Sequence, residues 1–474
     1  MKRFTHYILL GTVLTVLFPT LFASCVDDET FTTDRSAVLA FSADTVSFDT
    51  VFAGVGSSTE RLNVYNRNSN GVRISNVRLE SGGTAGFKMN VDGRGGTTID
   101  DVEILKEDSI FVFVEVNADE QSSDKPVYFS DAIIFTLESG VQQKVTLEAY
   151  GQNITVLRAE VLKDENTVLS STIPYVIYDS LVVAENATLH IAAGTTLCFH
   201  NGASLIVHGG LSVEGTLDAP VTFRGDRTDR MFSYLPYDRL ENQWGGIYLF
   251  PTSTGCSMNY ADIHSGNYGV VCEKVAGEVN ITNSVIHNVA GYGLYLEDCK
   301  ATIANTQVSN TKFDCVSVYG GTANFYHCTM AQFYPWSADR GNALYVSNYI
   351  GDEEHLIESL NFYNCFATGY ANDEVYGNPG DRPLNLHFYN CVLLTDVSDE
   401  TYFHNCTQDK KDLDTYKATN FRTVDTDTYY YDFHLDSLST ARGKGSSAYT
   451  TLYPLDHDGV ERGSTPDAGC YQFK

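Results

Sequence analysis

Basic charge is scarce in this 474-residue chain: 31 Lys and Arg stand against 60 Asp and Glu, a formal net charge of −29. So acidic a chain repels phosphate backbones, which argues against nucleic-acid binding and leaves solubility as the plain role of the charge. Metal-binding spacing is missing too. None of the 11 cysteines forms a Cys-x-x-Cys pair, so no zinc site is expected from them. Asp456 and Asp458 precede Gly459 as in a calcium loop, but the further ligands and terminal Glu of an EF-hand are absent, which points to a structural turn. The apolar run from Tyr7 to Leu21 falls short of the roughly 20 residues that a spanning helix needs. Apolar residues make up 43% of the chain, enough for a folded core, so disorder is not expected.

What the chain does have is repetition. Between Trp244 and Cys406 a short unit recurs, as in Asn280–Ile286, Thr302–Val308, Asn324–Met330, Asn361–Ala367 and His387–Leu393. Apolar positions align at 263, 286, 308, 330, 367 and 393, in steps of 23, 22, 22, 37 and 26 residues. Each unit alternates apolar and polar residues with period two and is broken by Gly or Asn. Such a coil cannot bury its inner face alone, whereas stacked coils can, so the unit predicts a β-solenoid. Asn283, Asn305, Asn364, Asn390 and Asn405 share one position, with His327 filling a step. Asn tolerates the left-handed conformation a corner requires and can bond its neighbour's amide. Cys328, Cys365, Cys391 and Cys406 follow that corner, predicting a column of buried thiols rather than disulfides.

Upstream, residues 38–152 read as roughly seven short alternating strands in about 110 residues, the pattern of an antiparallel sandwich. The expected strands are Thr45–Phe52, Arg61–Tyr65, Val72–Leu79, Ser109–Val116, Asp131–Leu137 and Val141–Tyr150. The run Phe48-Asp49-Thr50-Val51-Phe52, Gly56 and Leu62–Asn68 resembles hydin-like immunoglobulin domains, which implies a spacer or adhesive module. At the N-terminus, Lys2 and Arg3 precede the apolar run, which ends Leu21-Phe22-Ala23-Ser24-Cys25. This resembles a bacterial lipobox, with Phe22 where Leu is more usual. The resemblance implies removal of residues 1–24, lipidation of Cys25 and anchoring in the cell envelope, through a tether over 25–37. Asp27-Asp28-Glu29 is similar to the acidic tag that directs some lipoproteins outward.

From Pro174 onward, very short strands such as Leu181–Val183, Thr188–Ile191, Leu205–Val207 and Leu211–Val213 lead to Trp244-Gly245-Gly246-Ile247, after an insertion at 226–242. Together with the repeats, this resembles right-handed parallel β-helix proteins of the pectate-lyase-like kind over 174–406, and the asparagine column resembles their internal ladder. The fold hosts lyases, hydrolases, adhesins and inert stalks, so it does not decide function. Tyr431–Leu435, Ala441–Gly445 and Pro466–Tyr471 resemble the closing segment of secreted β-helix proteins, which implies a cap over the last coil.

A second strand per coil reads Gly246–Phe250, Gly269–Glu273, Gly293–Glu297, Cys315–Tyr319 and Ala343–Ser347. Its second and fourth places are apolar and inward. The outward rows then hold Tyr248, Val271, Tyr295, Ser317 and Tyr345, with Phe250, Glu273, Glu297, Tyr319 and Ser347 beside them. Aromatic rings flanked by acids suit sugar rings, so Tyr248, Tyr295, Tyr319 and Tyr345 are the candidate glycan-binding residues. The plainer reading is that tyrosine is simply a good strand residue. Glu273 and Glu297 fall one coil apart, close enough to raise one pKa or to share a cation such as calcium; no other cofactor is implied. They and Arg340 are the candidate catalytic groups, although no acid–base set repeats at matched coil positions. His264 and His287 also fall one coil apart, near Asp262, but the next steps are Ser309 and Ala331. No further ligand lines up there, so no metal site is expected. A long insertion over 333–357 would overhang the aromatic row.

The expected protein is therefore all-β: an immunoglobulin-like sandwich (38–152), a right-handed parallel β-helix (153–406) and a capping segment (407–474). Two functions stay open. One is non-catalytic binding, adhesion or scaffolding on a surface polysaccharide by a lipid-anchored envelope protein. The other is a polysaccharide lyase or glycoside hydrolase.

Overall fold

The structure, a computed structural model, describes residues 30–409 and 420–474. The signal segment and Cys25 lie outside the described residues. No helix among the described residues is long and apolar enough to cross a membrane. The chain forms two compact units. The second takes Glu120–Val127 as well as Gly151–Lys474, while the first ends at Asp119 and resumes over Tyr128–Tyr150. Residues 120–127, expected within the sandwich, thus belong with the β-helix. Asn153 explains this: its side chain accepts from the Gln121 N–H at 2.7 Å and donates to the Gln121 carbonyl at 2.8 Å.

The first unit is a sandwich of a six-stranded and a five-stranded sheet, largely antiparallel. Strands alternate as their sequences do: in Ser109–Val116 every second residue is buried, and Leu62, Val64, Val112 and Val114 are sealed from solvent. The strands Thr45–Phe52 and Ser109–Val116 form where the alternation predicts them. Among the strands not read from the sequence are Phe87–Val91 and Thr98–Ile104. In the latter, Asp101 adopts φ 52° while the pairing with Gly71–Leu79 keeps one register on either side of it.

The second unit is a right-handed parallel β-helix whose coils contribute to three ladders. Ladder A runs through Val221–Gly225, Ala261–His264, Val285–Val289, Gln307–Thr311, Thr329–Gln332 and Phe366–Gly369. Ladder B runs through Gly246–Leu249, Val270–Glu273, Leu294–Glu297, Val316–Tyr319, Leu344–Ser347 and Val375–Asn378. Ladder C includes Gly255–Asn259, Glu278–Thr282, Lys300–Ala304, Gly321–Tyr326 and Ile357–Tyr363. The register is the one the repeat implies, since Ile263, Ile286, Val308, Met330, Ala367 and Leu393 pair in succession. Inside, Phe325, Phe362, Phe388 and Phe403 stack at 4.6, 4.9 and 5.1 Å, matching the ~4.8 Å between paired strands.

Ladder C turns into ladder A through a single left-handed residue. Asn283, Asn305, His327, Asn364, Asn390 and Asn405 all have φ between 48° and 55°. Asn305 donates to the Asn283 amide oxygen at 3.0 Å, and Asn283 donates to Asn259 at 2.8 Å. The thiol column stacks just after this corner. The Cys328 and Cys365 N–H groups donate to the sulfurs of Cys365 and Cys391 at 3.4 and 3.3 Å, and every described cysteine is a free thiol.

The tail does not simply cover the last coil. It lies lengthwise along the outside of ladder A, where Ala331, Phe333, Phe366 and Val392 expose apolar side chains that Phe421, Phe433, Ala468 and Cys470 bury. Buried Arg462 donates to Asn305, and the Tyr471 hydroxyl donates to Gln307. Asp456 sits in the expected turn, where its carboxylate accepts from the N–H groups of Asp458, Val460 and Gln472.

Candidate functional site

With part of ladder A covered by the tail, ladder B presents an aromatic outer surface. Tyr248, Val271, Tyr295, Ser317, Tyr345 and Tyr376 occupy one outward row in register. Two further tyrosines, not read from the sequence, join them from the corner between ladders A and B. Tyr268 and Tyr292 precede Gly269 and Gly293, where the coils pack so closely that a Cβ on Gly269 would stand 2.2 Å from the Gly293 carbonyl oxygen. Ring centroids then follow one another from Tyr248 to Tyr268 (6.1 Å), Tyr292 (6.3 Å) and Tyr295 (5.2 Å). The chain of rings continues to Tyr319 (5.2 Å), Tyr345 (5.7 Å) and Tyr376 (5.3 Å).

This belt is packed, not freely exposed. Tyr295, Tyr319 and Tyr345 are half-buried because the small Ser317 between Tyr295 and Tyr345 leaves room for the rings to converge. Burial pushes the Tyr248 phenol up to about 12, and Tyr295 and Tyr319 higher still. The rings therefore use much of their faces on one another, and the surface offered outward is apolar edge rimmed with un-ionised hydroxyls. Such a surface gives donors, acceptors and C–H contact without charge.

Acidic groups border the belt. Glu273 and Glu297 are register partners, as expected. They are not a bare pair, however: Lys274 places its ammonium 3.3 Å from Glu297, and the Tyr295 hydroxyl donates to Glu297 at 3.2 Å. The place considered for a shared calcium is thus already served by a resident cation. Arg340 is committed elsewhere. It donates to the Ser337 carbonyl at 2.9 Å, and its guanidinium lies 4.7 Å over the Tyr370 ring. Nor is the 333–357 stretch one overhanging loop. Its centre, Leu344–Ser347, is a strand of ladder B and carries Tyr345 itself. Trp336 stacks on Tyr429 of the tail at 4.0 Å, and buried His355 bonds Asp298 at 2.8 Å.

The acid that the sequence reading missed is Asp314, at the corner beside Tyr292 and Tyr319. It accepts from the Asn342 N–H and the Ser317 hydroxyl, both at 2.8 Å. Burial nonetheless outweighs these bonds and raises its pKa. Fully buried Glu374, two coils on, accepts from the Ala343 and Ala371 N–H groups and so braces the corner. Neither stood out in the sequence, because each lies in a corner rather than in the strand repeat.

The sequence matches no family model and no curated protein. Among solved structures, Dex49A from Penicillium minioluteum aligns over 78% of this chain and 75% of its own, at 9% identity and a TM-score of 0.18. A PapD-like domain of human CEP192 aligns over 28% of this chain and 94% of its own, at 11% identity and a TM-score of 0.17. A family 123 glycoside hydrolase from Clostridium perfringens aligns over 25%, at 10% identity and a TM-score of 0.18, and this chain spans 30% of it. Likeness this slight carries no argument about chemistry. The fold stands on the ladders themselves.

Proposed function

We propose that this protein is a lipid-anchored envelope protein whose ladder B engages an extended polysaccharide through the tyrosine belt. The observation that carries the reading is the unbroken succession of ring contacts from Tyr248 to Tyr376 on a rigid parallel ladder. Rigid aromatic side chains supply contact area at low entropic cost, and a straight ladder suits a straight, repeating ligand. The sandwich would then act as a spacer, and Cys25 as the attachment point. Affinity electrophoresis against a panel of neutral and acidic polysaccharides tests this. Retardation by at least one polysaccharide, lost in the Tyr295→Ala, Tyr345→Ala double variant, is expected; retardation that survives in that variant would refute the belt. Incorporation of labelled fatty acid, lost in Cys25→Ser, tests the anchor.

A second reading, glycoside hydrolysis, draws support from Asp314 alone: a carboxyl with a raised pKa beside the belt could be the protonated acid. Against it, the next buried carboxylate, Glu374, has both oxygens on backbone amides. A hydrolase would release new reducing ends from the retarded polysaccharide and lose this activity in Asp314→Asn. A purely binding protein releases none.

A further inference from the structure

Ladder A carries a second constellation, outside the belt. Asp262 and His264 lie two residues apart on one outward face, and His287 is the register partner of His264 on the next coil. The Asp262 carboxylate oxygen stands 2.9 Å from His264 Nδ1 and 3.3 Å from His287 Nε2, and the three donor atoms lie within 4.8 Å of one another. Donors around a tetrahedral zinc ion at ~2.1 Å are themselves about 3.4 Å apart, so an ion needs only a small outward shift of these side chains.

The other nitrogen of His264 is also placed. Nε2 faces Asp238 at 2.9 Å, and Asp238 is held in turn by Arg224 at 3.0 Å. A carboxylate on the far nitrogen of a ligating histidine fixes its tautomer and ring orientation, as metal sites require. His264 is 6% exposed, and its carbonyl accepts from the Trp244 indole at 2.8 Å, which pins the strand. Asp262 and His287 keep 38% and 27% of their side chains exposed, so the remaining coordination positions open to solvent. The repeat did not reveal this supporting carboxylate, because Asp238 arrives from the 226–242 insertion, out of register with the coils.

We infer that Asp262, His264 and His287 bind one divalent transition-metal ion of the zinc class, with Asp238 as the positioning residue behind His264. Two imidazoles and one carboxylate with open positions are a ligand set for Zn²⁺ or Fe²⁺, not for calcium. This is independent of the glycan reading.

The test is titration of full-length, untagged protein, stripped with chelator, with Co²⁺ followed by visible absorption and with Zn²⁺ followed by calorimetry. One tightly bound equivalent is expected, with Co²⁺ bands of a low-coordinate site. Asp238→Asn should weaken binding about 10- to 100-fold. His287→Gln should weaken it at least as much, and His434→Gln, in a separate His–Asp cluster, should leave it unchanged. No tight equivalent in the parent protein would overturn the assignment, as would undiminished affinity in His287→Gln. Melting curves establish that each variant is folded. His287 is partly exposed, so its variant decides the matter even where a change at buried His264 prevents folding.

Discussion

Asn364 joins the corner column to the tail, and replacing it isolates what that junction contributes. Its backbone is left-handed, at φ 53°. Its side chain accepts from the Ser446 N–H at 2.8 Å and donates to the Ser446 carbonyl at 2.9 Å. An alanine in this conformation costs about 1 kcal/mol. The Asn364 amide also bonds His327 Nε2 at 3.3 Å, so three bonds are lost at about 1 kcal/mol net each, for a total near ~4 kcal/mol in Asn364→Ala. Asn364→Gly relieves the backbone cost and keeps only the lost bonds, so it should fall about 1 kcal/mol short of the alanine variant. Urea midpoints give the ranking, and hydrogen exchange at the Ser446 amide gives the location, where exchange should accelerate in both variants. A glycine variant no more stable than the alanine variant would refute the left-handed corner. Unchanged Ser446 exchange would refute the side-on docking of the tail.

Further outcomes follow from the same geometry. Burial pushes the thiols of Cys198 and Cys256 up to about 12, whereas the Cys391 hydrogen bond lowers Cys406, which is partly exposed. Ellman's reagent should therefore modify Cys406 fastest among the described cysteines, and a fast phase that persists in Cys406→Ser would contradict this. Phe362, stacked between Phe325 and Phe388, should cost about 3–5 kcal/mol when changed to Ala, read as a lowered urea midpoint. Burial alone would lower the pKa of His434, but its bonds to Asp458 and Asp432 raise it. Its stabilising share is then complete below pH ~6.5 and fades as pH rises through the raised folded-state value. The stability gap between the parent and His434→Gln should accordingly be wide at pH 6 and narrow toward alkaline pH; a gap that widens would contradict the ion pair.

The coil interior was legible because it is periodic. The positions from Ile263 to Leu393 pair as their spacing implies, and the asparagines occupy the left-handed corner that their chemistry suits. What escaped the repeat lies where chain distant in sequence is brought in. Tyr268, Tyr292 and Asp314 sit in corners of varying length, and Asp238 sits in an insertion. The tail's course was hidden for a different reason. Val392 and Phe366 read as ordinary strand residues, and nothing in their alternation says that a segment ending at Tyr471 will cover their outer face. The tyrosine row itself was readable, but its partial burial depends on Ser317 being small, a packing effect between neighbouring coils.

The central claim is that the tyrosine belt meets the polysaccharide. Hydroxyl-radical footprinting tests it directly, comparing the protein alone with the protein saturated by whichever polysaccharide retards it. Protection is expected at Tyr295, Tyr319, Tyr345 and Tyr376, with Tyr128 and Tyr150 of the sandwich unchanged as exposed references. Unaltered oxidation of the belt tyrosines at saturation, or protection confined to the sandwich, would contradict the account.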